Sequence, residues 1–176
     1  GYDLLLGVLS SVVTPLAYRR RHRLPLRPDP PEGDPVSRHH PTHRVPRGGI
    51  DPIRSRADAL AVLALAAPFG DDTVAILLDA ERRGIGLVVV TGTFDPDAIF
   101  GVISVCSGAR QPGIAGLILA SSRPEGDLVA ADLDRWIEAS LQCDDAGIEL
   151  VEWFVIGAHI ACPRELAGDP PRWSTP

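Results

Sequence analysis

The stretch 114-IAGLILASSR-123 decides the fold. Its first seven residues, Ile114–Ala120, are uncharged and strongly apolar, which predicts a very apolar strand. Such a strand needs cover above and below the sheet, so the run predicts a central sheet with helices packed on it. The three polar residues that follow mark the end of the strand.

The segments on either side of this strand alternate between helical and extended patterns. Upstream they predict a helix that Ser55 and Asp58 cap and that Pro68 and Gly70 end. A hairpin follows, with strands at Thr73–Leu78 and Leu87–Thr91. A second helix begins at Asp95 and stops near Gly108. Downstream the segments predict a helix capped by Asp132 and closed by Gly147, a strand at Ile148–Ile156 and a short strand within Ala158–Cys162. The order predicts an α/β (α+β) sandwich, with a mixed sheet of about four to six strands flanked by helices.

The helix after Asp132 carries apolar residues at helical spacing. Five residues are predicted to share one face of it: Leu133, Trp136, Ile137, Ser140 and Leu141. We expect this face to pack on the sheet.

The two parts of the chain carry opposite charge. Residues 1–56 contain 10 Arg and 5 acidic residues, whereas residues 57–176 contain 7 Arg and 18 acidic residues. The acidic body argues against a nucleic-acid surface on the domain itself. The run Arg19–Arg23 allows a weak contact with phosphate or an anionic surface, although short basic runs are usually only solvated.

Composition divides the chain into four parts. Residues 1–18 place Leu5, Val8, Leu9, Val12, Val13 and Leu16 at helical spacing, which predicts an N-terminal amphipathic helix. Residues 19–54 are rich in Pro, Arg and His and predict a flexible linker. Residues 55–168 are predicted to form the globular domain, and residues 169–176 a C-terminal tail.

We find no strong membrane or secretion signal in the sequence. The apolar run within residues 1–18 is short and interrupted by Pro15, and its basic residues follow it, whereas a secretory signal carries them first. Three Cys without paired spacing exclude a disulfide framework and a Cys-rich zinc site. We therefore expect a cytoplasmic protein.

The loop after Ala120 is the candidate functional region, because ligand-binding groups gather in the loops at strand ends. Ser121 and Arg123 lie there, and Asp134 follows in the first turn of the next helix. Asp71 and Asp72 precede the first strand of the hairpin. Three carboxylates are therefore expected at one end of the sheet.

Five segments also occur in a recognisable order. Four of them are similar to short motifs of one protein family: Ala75–Ala80 to "LLD", Thr91–Asp95 to "GTLD", Leu150–Gly157 to "LLDHIIIG" and Cys162–Glu165 to "S-x-R-E". The fifth, Ile114–Ala120, matches the strand that precedes the metal-binding loop of that family. Together they resemble the RadC branch of the JAB/MPN metalloprotease-like superfamily. The resemblance covers about Ala57 to Leu166 and implies a JAB/MPN (cytidine-deaminase-like) fold.

That family's metal motif is His-x-His, seven residues, then Ser-x-x-Asp, with an upstream Glu as general base. On this sequence the two His positions fall on Ser121 and Arg123, the Ser on Ala131, the Asp on Asp134, the Glu on or next to Asp71, and the later Asp-His pair on Glu152-Trp153. Because both histidines are replaced, the resemblance implies a degenerate site with no metal, no cofactor and no catalytic residue.

Arg123 is the replacement with the clearest consequence. Arginine stays protonated and offers no lone pair to a metal. A cation about 4 Å from a dication would also repel it by several kcal/mol at an effective dielectric near 20. We therefore predict that Arg123 takes the place of the metal and pairs with Asp134, with Asp71 as a second candidate partner. The alternative is that Asp134 is only a first-turn acid favoured by the helix dipole and Arg123 only a loop residue.

Three functions remain open from the sequence. The first is a non-catalytic RadC-like JAB domain, a scaffold or interaction module that binds a protein partner or itself. The second is a metal-dependent hydrolase of the isopeptidase or peptidase type, with zinc held by Asp71, Asp134 and a His recruited from His39, His40, His43 or His159. The third is a protein that residues 1–18 tether to a membrane or a partner. Residues 1–56 lack the glycine-centred helix-hairpin-helix of RadC proteins, so DNA binding by that route is not expected.

Overall fold

The computed structural model describes residues 44–66, 72–108, 113–123 and 127–173. Its elements, in chain order, are α1 (Arg56–Ala66), β1 (Thr73–Leu78), β2 (Gly84–Val90), α2 (Ala98–Gly108), β3 (Gly116–Ser122), α3 (Ala131–Asp145), β4 (Glu149–Ile156), β5 (Ile160–Ala161) and α4 (Pro163–Ala167). The sequence pattern predicts these elements in type and order except for α4, which it misses. Residues 1–43, with the predicted amphipathic helix and most of the predicted linker, lie outside the described residues.

The strands form one mixed sheet in the order β2-β1-β3-β4-β5, with β3 at its centre. β1 is antiparallel to both β2 and β3, β3 is parallel to β4, and β5 is antiparallel to β4. A parallel pair needs a crossover connection, and α3 supplies it. The fold is therefore of the α+β class, with an open mixed sheet and helices on both faces.

β3 separates the two layers of the core. Successive side chains of a strand point to opposite faces, so Leu117 and Leu119 pack with α2 and α3, whereas Ile118 and Ala120 pack with α1. All four side chains are 0% exposed. The predicted apolar strand is confirmed, and apolar layers cover both sides of it.

The start of α1 is closed by two side chains. The Ser55 hydroxyl accepts the Asp58 amide at 3.1 Å and donates to the Asp58 carboxylate at 2.8 Å. The same carboxylate accepts the Arg54 amide at 3.0 Å. These bonds satisfy amides that have no partner within the helix, so the predicted cap is confirmed.

The predicted buried face of α3 is wrong at two positions. Ile137 and Leu141 are 49% and 60% exposed. The buried positions are instead Asp132, Trp136, Ala139, Ser140 and Cys143. These buried positions recur every three or four residues and form one stripe along the helix. Ile137 and Leu141 lie beside this stripe. Small Ala and Cys side chains carry little weight in a hydropathy pattern, so the pattern followed the larger Ile and Leu.

The segment after α4 packs along the outer edge of β4. Arg172 donates to the Leu150 carbonyl at 3.0 Å, and its guanidinium lies 4.7 Å from the centre of the Trp136 ring. Trp173 stacks on Phe154 with ring centroids 6.2 Å apart. These contacts hold part of residues 169–173, which the sequence pattern separates as a tail, against the domain.

The α1 cap gives a prediction on stability. Replacing Ser55 by Ala removes the hydroxyl that accepts the Asp58 amide, and we expect a loss of about 1 kcal/mol in the free energy of unfolding. Urea denaturation would measure it. Ser107→Ala is the control, because the Ser107 hydroxyl only donates to carbonyls of its own helix. It should change stability by less than about 0.5 kcal/mol, and equal losses in the two variants would contradict the prediction.

Candidate functional site

The ends of β3 and β4 and the start of β1 meet at one edge of the sheet. The Ser122 amide donates to the Asp72 carbonyl at 2.8 Å, and the Arg123 amide donates to the Ile156 carbonyl at 2.7 Å. These bonds fix the backbone of Arg123 as it leaves the sheet. Residues 124–126 are outside the described part, and the chain then leads into α3.

Arg123 pairs with Asp132, not with Asp134. Its Nη1 and Nη2 donate to the two carboxylate oxygens of Asp132 at 2.7 and 2.9 Å. The Asp132 side chain is 0% exposed and that of Arg123 is 15% exposed. The predicted partner Asp134 is exposed, and that prediction is wrong. Residues two apart on a helix point about 200° apart, so Asp132 faces the sheet and Asp134 faces solvent. Asp71, the second candidate partner, lies outside the described residues.

The Asp132 carboxylate is fully satisfied. Besides the two bonds from Arg123, it accepts the Val129 amide at 2.9 Å and Nη1 of Arg135 at 3.1 Å. Four donors match the roughly four lone-pair positions of a carboxylate. Arg135 also reaches outward to Asp97 at 2.6 Å, which links the buried carboxylate to the surface.

Two opposing effects act on the pKa of Asp132. Burial raises it, because a buried carboxylate loses hydration. The hydrogen bonds from the Arg123 guanidinium and the Val129 amide lower it and outweigh burial, so the pKa of Asp132 lies below its ordinary value. The carboxylate is therefore charged at neutral pH.

Ser121 belongs to a chain of hydrogen bonds beside this ion pair. Nε1 of Trp153 donates to the Ser121 hydroxyl at 3.1 Å, and the hydroxyls of Ser121 and Thr73 lie 3.3 Å apart. Thr73 also bonds to Thr93 at 2.9 Å. The Arg123 guanidinium lies 5.6 Å from the centre of the Trp153 ring, within the range of a cation–π contact. The structure thus brings Ser121, Arg123 and Trp153 together.

Glu152 belongs to a separate ion pair on the other face of the sheet. Nε of Arg164 donates to its carboxylate at 3.0 Å, and both side chains are buried. Burial raises the pKa of Glu152 above its ordinary value, although the bond from Arg164 opposes this. Arg164 also donates to the Asp169 carbonyl. The pair ties β4 to α4 and the segment that follows.

The site residues do not suit zinc. A catalytic zinc ion takes three protein ligands with lone pairs. Arg123 offers none, Ala131 has no donor atom, and the Ser121 hydroxyl already bonds to Trp153 and Thr73. Asp134 remains as an exposed carboxylate. We therefore derive no chemistry through a metal from these residues.

The rest of the described chain adds no metal cluster. Within residues 44–66, 72–108, 113–123 and 127–173, no three His, Cys, Asp or Glu side chains are grouped to hold a metal ion. His159 is exposed. The other proposed ligands, Asp71, His39, His40 and His43, lie outside these ranges.

The three cysteines are buried and free. Burial raises the pKa of Cys106 to about 11 and those of Cys143 and Cys162 to about 12. The thiolate is the reactive form of cysteine, so these thiols are poor nucleophiles at neutral pH.

Comparisons with known proteins do not identify the chain. No family model matches the sequence, and a search of curated proteins finds no match. None of the helices in the described ranges has the length and hydropathy needed to cross a membrane. The RadC-like identity therefore stays a prediction that rests on the order of similar segments.

Asp132 is the site residue that the sequence pattern missed as a partner of Arg123. Its signal is present in the spacing, because Asp132 lies four residues before Trp136 and hence on the same side of α3. An acidic residue on a buried helix face requires a cationic or hydrogen-bonding partner. The arginine at the end of β3 is that partner.

The buried ion pair gives a second prediction. Asp132→Ala leaves the largely buried side chain of Arg123 without its partner, and we expect a loss of about 3–5 kcal/mol in the free energy of unfolding. Glu165→Ala is the control, since the Arg56–Glu165 pair is exposed and should contribute at most about 1 kcal/mol. Chemical denaturation of both variants measures the contrast. Equally small losses of unfolding free energy in the two variants would show that the Arg123–Asp132 pair does not stabilise the fold.

The pH dependence of stability gives a third prediction. The pKa of Asp132 is lowered in the folded state, so its stabilisation is complete above the unfolded value of about 4 and is lost as pH falls through the folded value. We expect the difference in free energy of unfolding between wild type and Asp132→Asn to be largest at neutral pH and to shrink below about pH 4. Urea denaturation across this range tests it. A gap that does not change with pH would contradict the assignment.

Proposed function

We propose that this chain is a RadC-like JAB/MPN domain that works without a metal, as a scaffold or interaction module. The observation that carries the proposal is the two-bonded ion pair between Arg123 and the fully buried Asp132. Arg123 occupies a position where the resemblance expects a metal-binding histidine. Its guanidinium supplies a fixed positive charge there, and a buried carboxylate neutralises it.

The other replaced positions support the same proposal. Ser121 and Trp153 stand where the resemblance expects histidines, and they bond to each other at 3.1 Å. The Trp153 ring also faces the Arg123 guanidinium. Ser121, Arg123 and Trp153 thus contact one another at the three replaced positions. If only one metal ligand had been replaced, the polar groups at the other positions would lack such partners.

The polar groups of the described site are committed to internal bonds. Asp132 receives four donors, and Ser121 bonds on two sides. A general base or nucleophile needs a lone pair or proton that can reach the substrate. These groups therefore support a structural role, and the proposed ligand is a protein partner or a second copy of the chain, in the cytoplasm.

Zinc content gives a fourth prediction. We expect far less than one zinc per chain by elemental analysis of the full chain, purified without chelator or nickel resin. Zinc near one per chain that is lost in Asp134→Ala would instead support the alternative, a hydrolase with a rearranged site. Peptidase and isopeptidase assays would then follow.

Rebuilding the motif tests the resemblance itself. Ser121→His combined with Arg123→His restores the His-x-His spacing beside the Asp132 carboxylate, and we expect this variant to bind zinc in a manner that Asp132→Asn abolishes. The matched control, Ser122→His with Arg123→His, carries as many histidines in the wrong spacing and should not bind. Circular dichroism checks that both variants fold. Zinc binding by neither folded variant, or equally by both, would contradict the proposed family.

A further inference from the structure

The outer face of α3 combines an apolar ridge with acidic side chains. Ile137 and Leu141 lie one helical turn apart and are 49% and 60% exposed. The exposed acidic residues of the same helix are Asp134, Glu138, Asp144 and Asp145. We refer to these six residues as the α3 outer face.

Neighbouring elements contact α3 on its flanks and leave this face open. Gln142 bonds to the Phe100 carbonyl of α2 at 3.1 Å. On another side Trp136 bonds to Asp169, after α4, at 3.2 Å. No residue in the described ranges forms an ion pair with the four acidic residues of the face, and the one basic residue of α3, Arg135, pairs with Asp97 and Asp132. The face therefore carries exposed apolar surface and uncompensated negative charge.

We propose that residues 1–23 of the same chain dock on the α3 outer face. The segment offers the complementary pattern, an apolar set at helical spacing within residues 1–18 followed by Arg19, Arg20, Arg21 and Arg23. Four arginines face four acidic side chains, and the apolar set covers Ile137 and Leu141. The inference concerns a different surface from the Arg123 site and does not rest on the proposed function.

The path of the chain brings this segment within reach. The Gly49 amide donates to the Gly84 carbonyl at 2.9 Å, which holds the first described residues against the turn between β1 and β2. From that turn Arg82 pairs at 2.7 Å with Glu149, four residues after the last residue of α3. The chain therefore enters the domain beside the C-terminal end of α3.

The connecting residues are long enough to span the helix. Residues 24–43 reach about 25 Å as a random coil and about 60 Å when extended. The 15 residues of α3 extend over about 22 Å. Whether residues 24–43 are coiled or extended, they are long enough for residues 1–23 to lie along the whole α3 outer face.

Charge argues against other occupants. A symmetric contact between two copies through this face would bring its acidic side chains against their own copies, and like charges in contact repel. Phosphate groups of a nucleic acid or an anionic membrane are repelled by the same four side chains. Residues 1–23 of the chain itself offer both apolar side chains for the ridge and arginines for the acidic side chains.

Paramagnetic relaxation in the full chain tests the docking. A nitroxide is placed on Ser10→Cys, and Thr14→Cys serves as a second label position. The three native cysteines do not compete for the label, because each is at most 1% exposed. We expect the amide signals of Ile137, Glu138 and Leu141 to lose most of their intensity, while Val88 on the distant edge strand β2 keeps its own.

Two surface variants make the test specific. Ile137→Ser with Leu141→Ser should abolish the broadening on α3. Leu65→Ser should leave it intact, because Leu65 is as exposed as Leu141, at 60%, but lies on α1. Added salt should also weaken the broadening, since it screens the arginine contacts.

Three outcomes would overturn the docking. The first is an absence of broadening on α3 with both label positions. The second is broadening that survives the double serine variant. The third is broadening on an isotope-labelled chain mixed with separate nitroxide-labelled chains, which would show that a second copy occupies the face.

Discussion

The parallel pairing of β3 with β4 is the constraint on which the rest of the structure depends. β3 bonds to β1 on one edge and to β4 on the other and is buried on both faces. Because β4 runs in the same direction, the chain must return across one face of the sheet, and α3 does this. The end of β3, the start of α3 and the end of β4 are thereby brought to one junction, and every contact of Arg123 described above occurs there.

The junction must also accommodate a buried charge. The predicted helix cap at Asp132 is wrong, because α3 begins after Ala130 without a side-chain cap and Asp132 lies inside its first turn. The Asp132 carboxylate accepts the preceding Val129 amide instead. A negative charge in the first turn suits the helix dipole, but full burial would make it costly without a cation. Arg123 supplies that cation from the strand that the crossover has just left. One carboxylate therefore fixes the start of the helix and its distance from the sheet.

The sequence predicted the elements except for α4, but it did not predict the contacts between them. β1 was predicted with its observed bounds and β3 as a very apolar strand, because local apolar runs and turn residues determine both, but the central place of β3 in the sheet was not predicted. The partner of Arg123 was misplaced by two residues, since the family spacing pointed to Asp134 whereas helix geometry turns Asp132 inward. α4 was missed because its five residues are too few to show a period. Contacts across about 10 residues or more depend on packing, which a local pattern does not encode.

The two buried carboxylates show how the chain distributes its polar contacts. Asp132 receives four donors and its pKa falls, whereas Glu152 receives Nε of Arg164 and the adjacent Trp153 amide and its pKa rises. Burial is the largest effect on both carboxylates and raises the pKa of Glu152, whereas at Asp132 the bonds from Arg123, Val129 and Arg135 together outweigh it. The densest set of internal bonds thus lies where the resemblance expects a metal, and it leaves few groups for a substrate. By contrast, the four acidic side chains of the α3 outer face form no ion pair within the described residues.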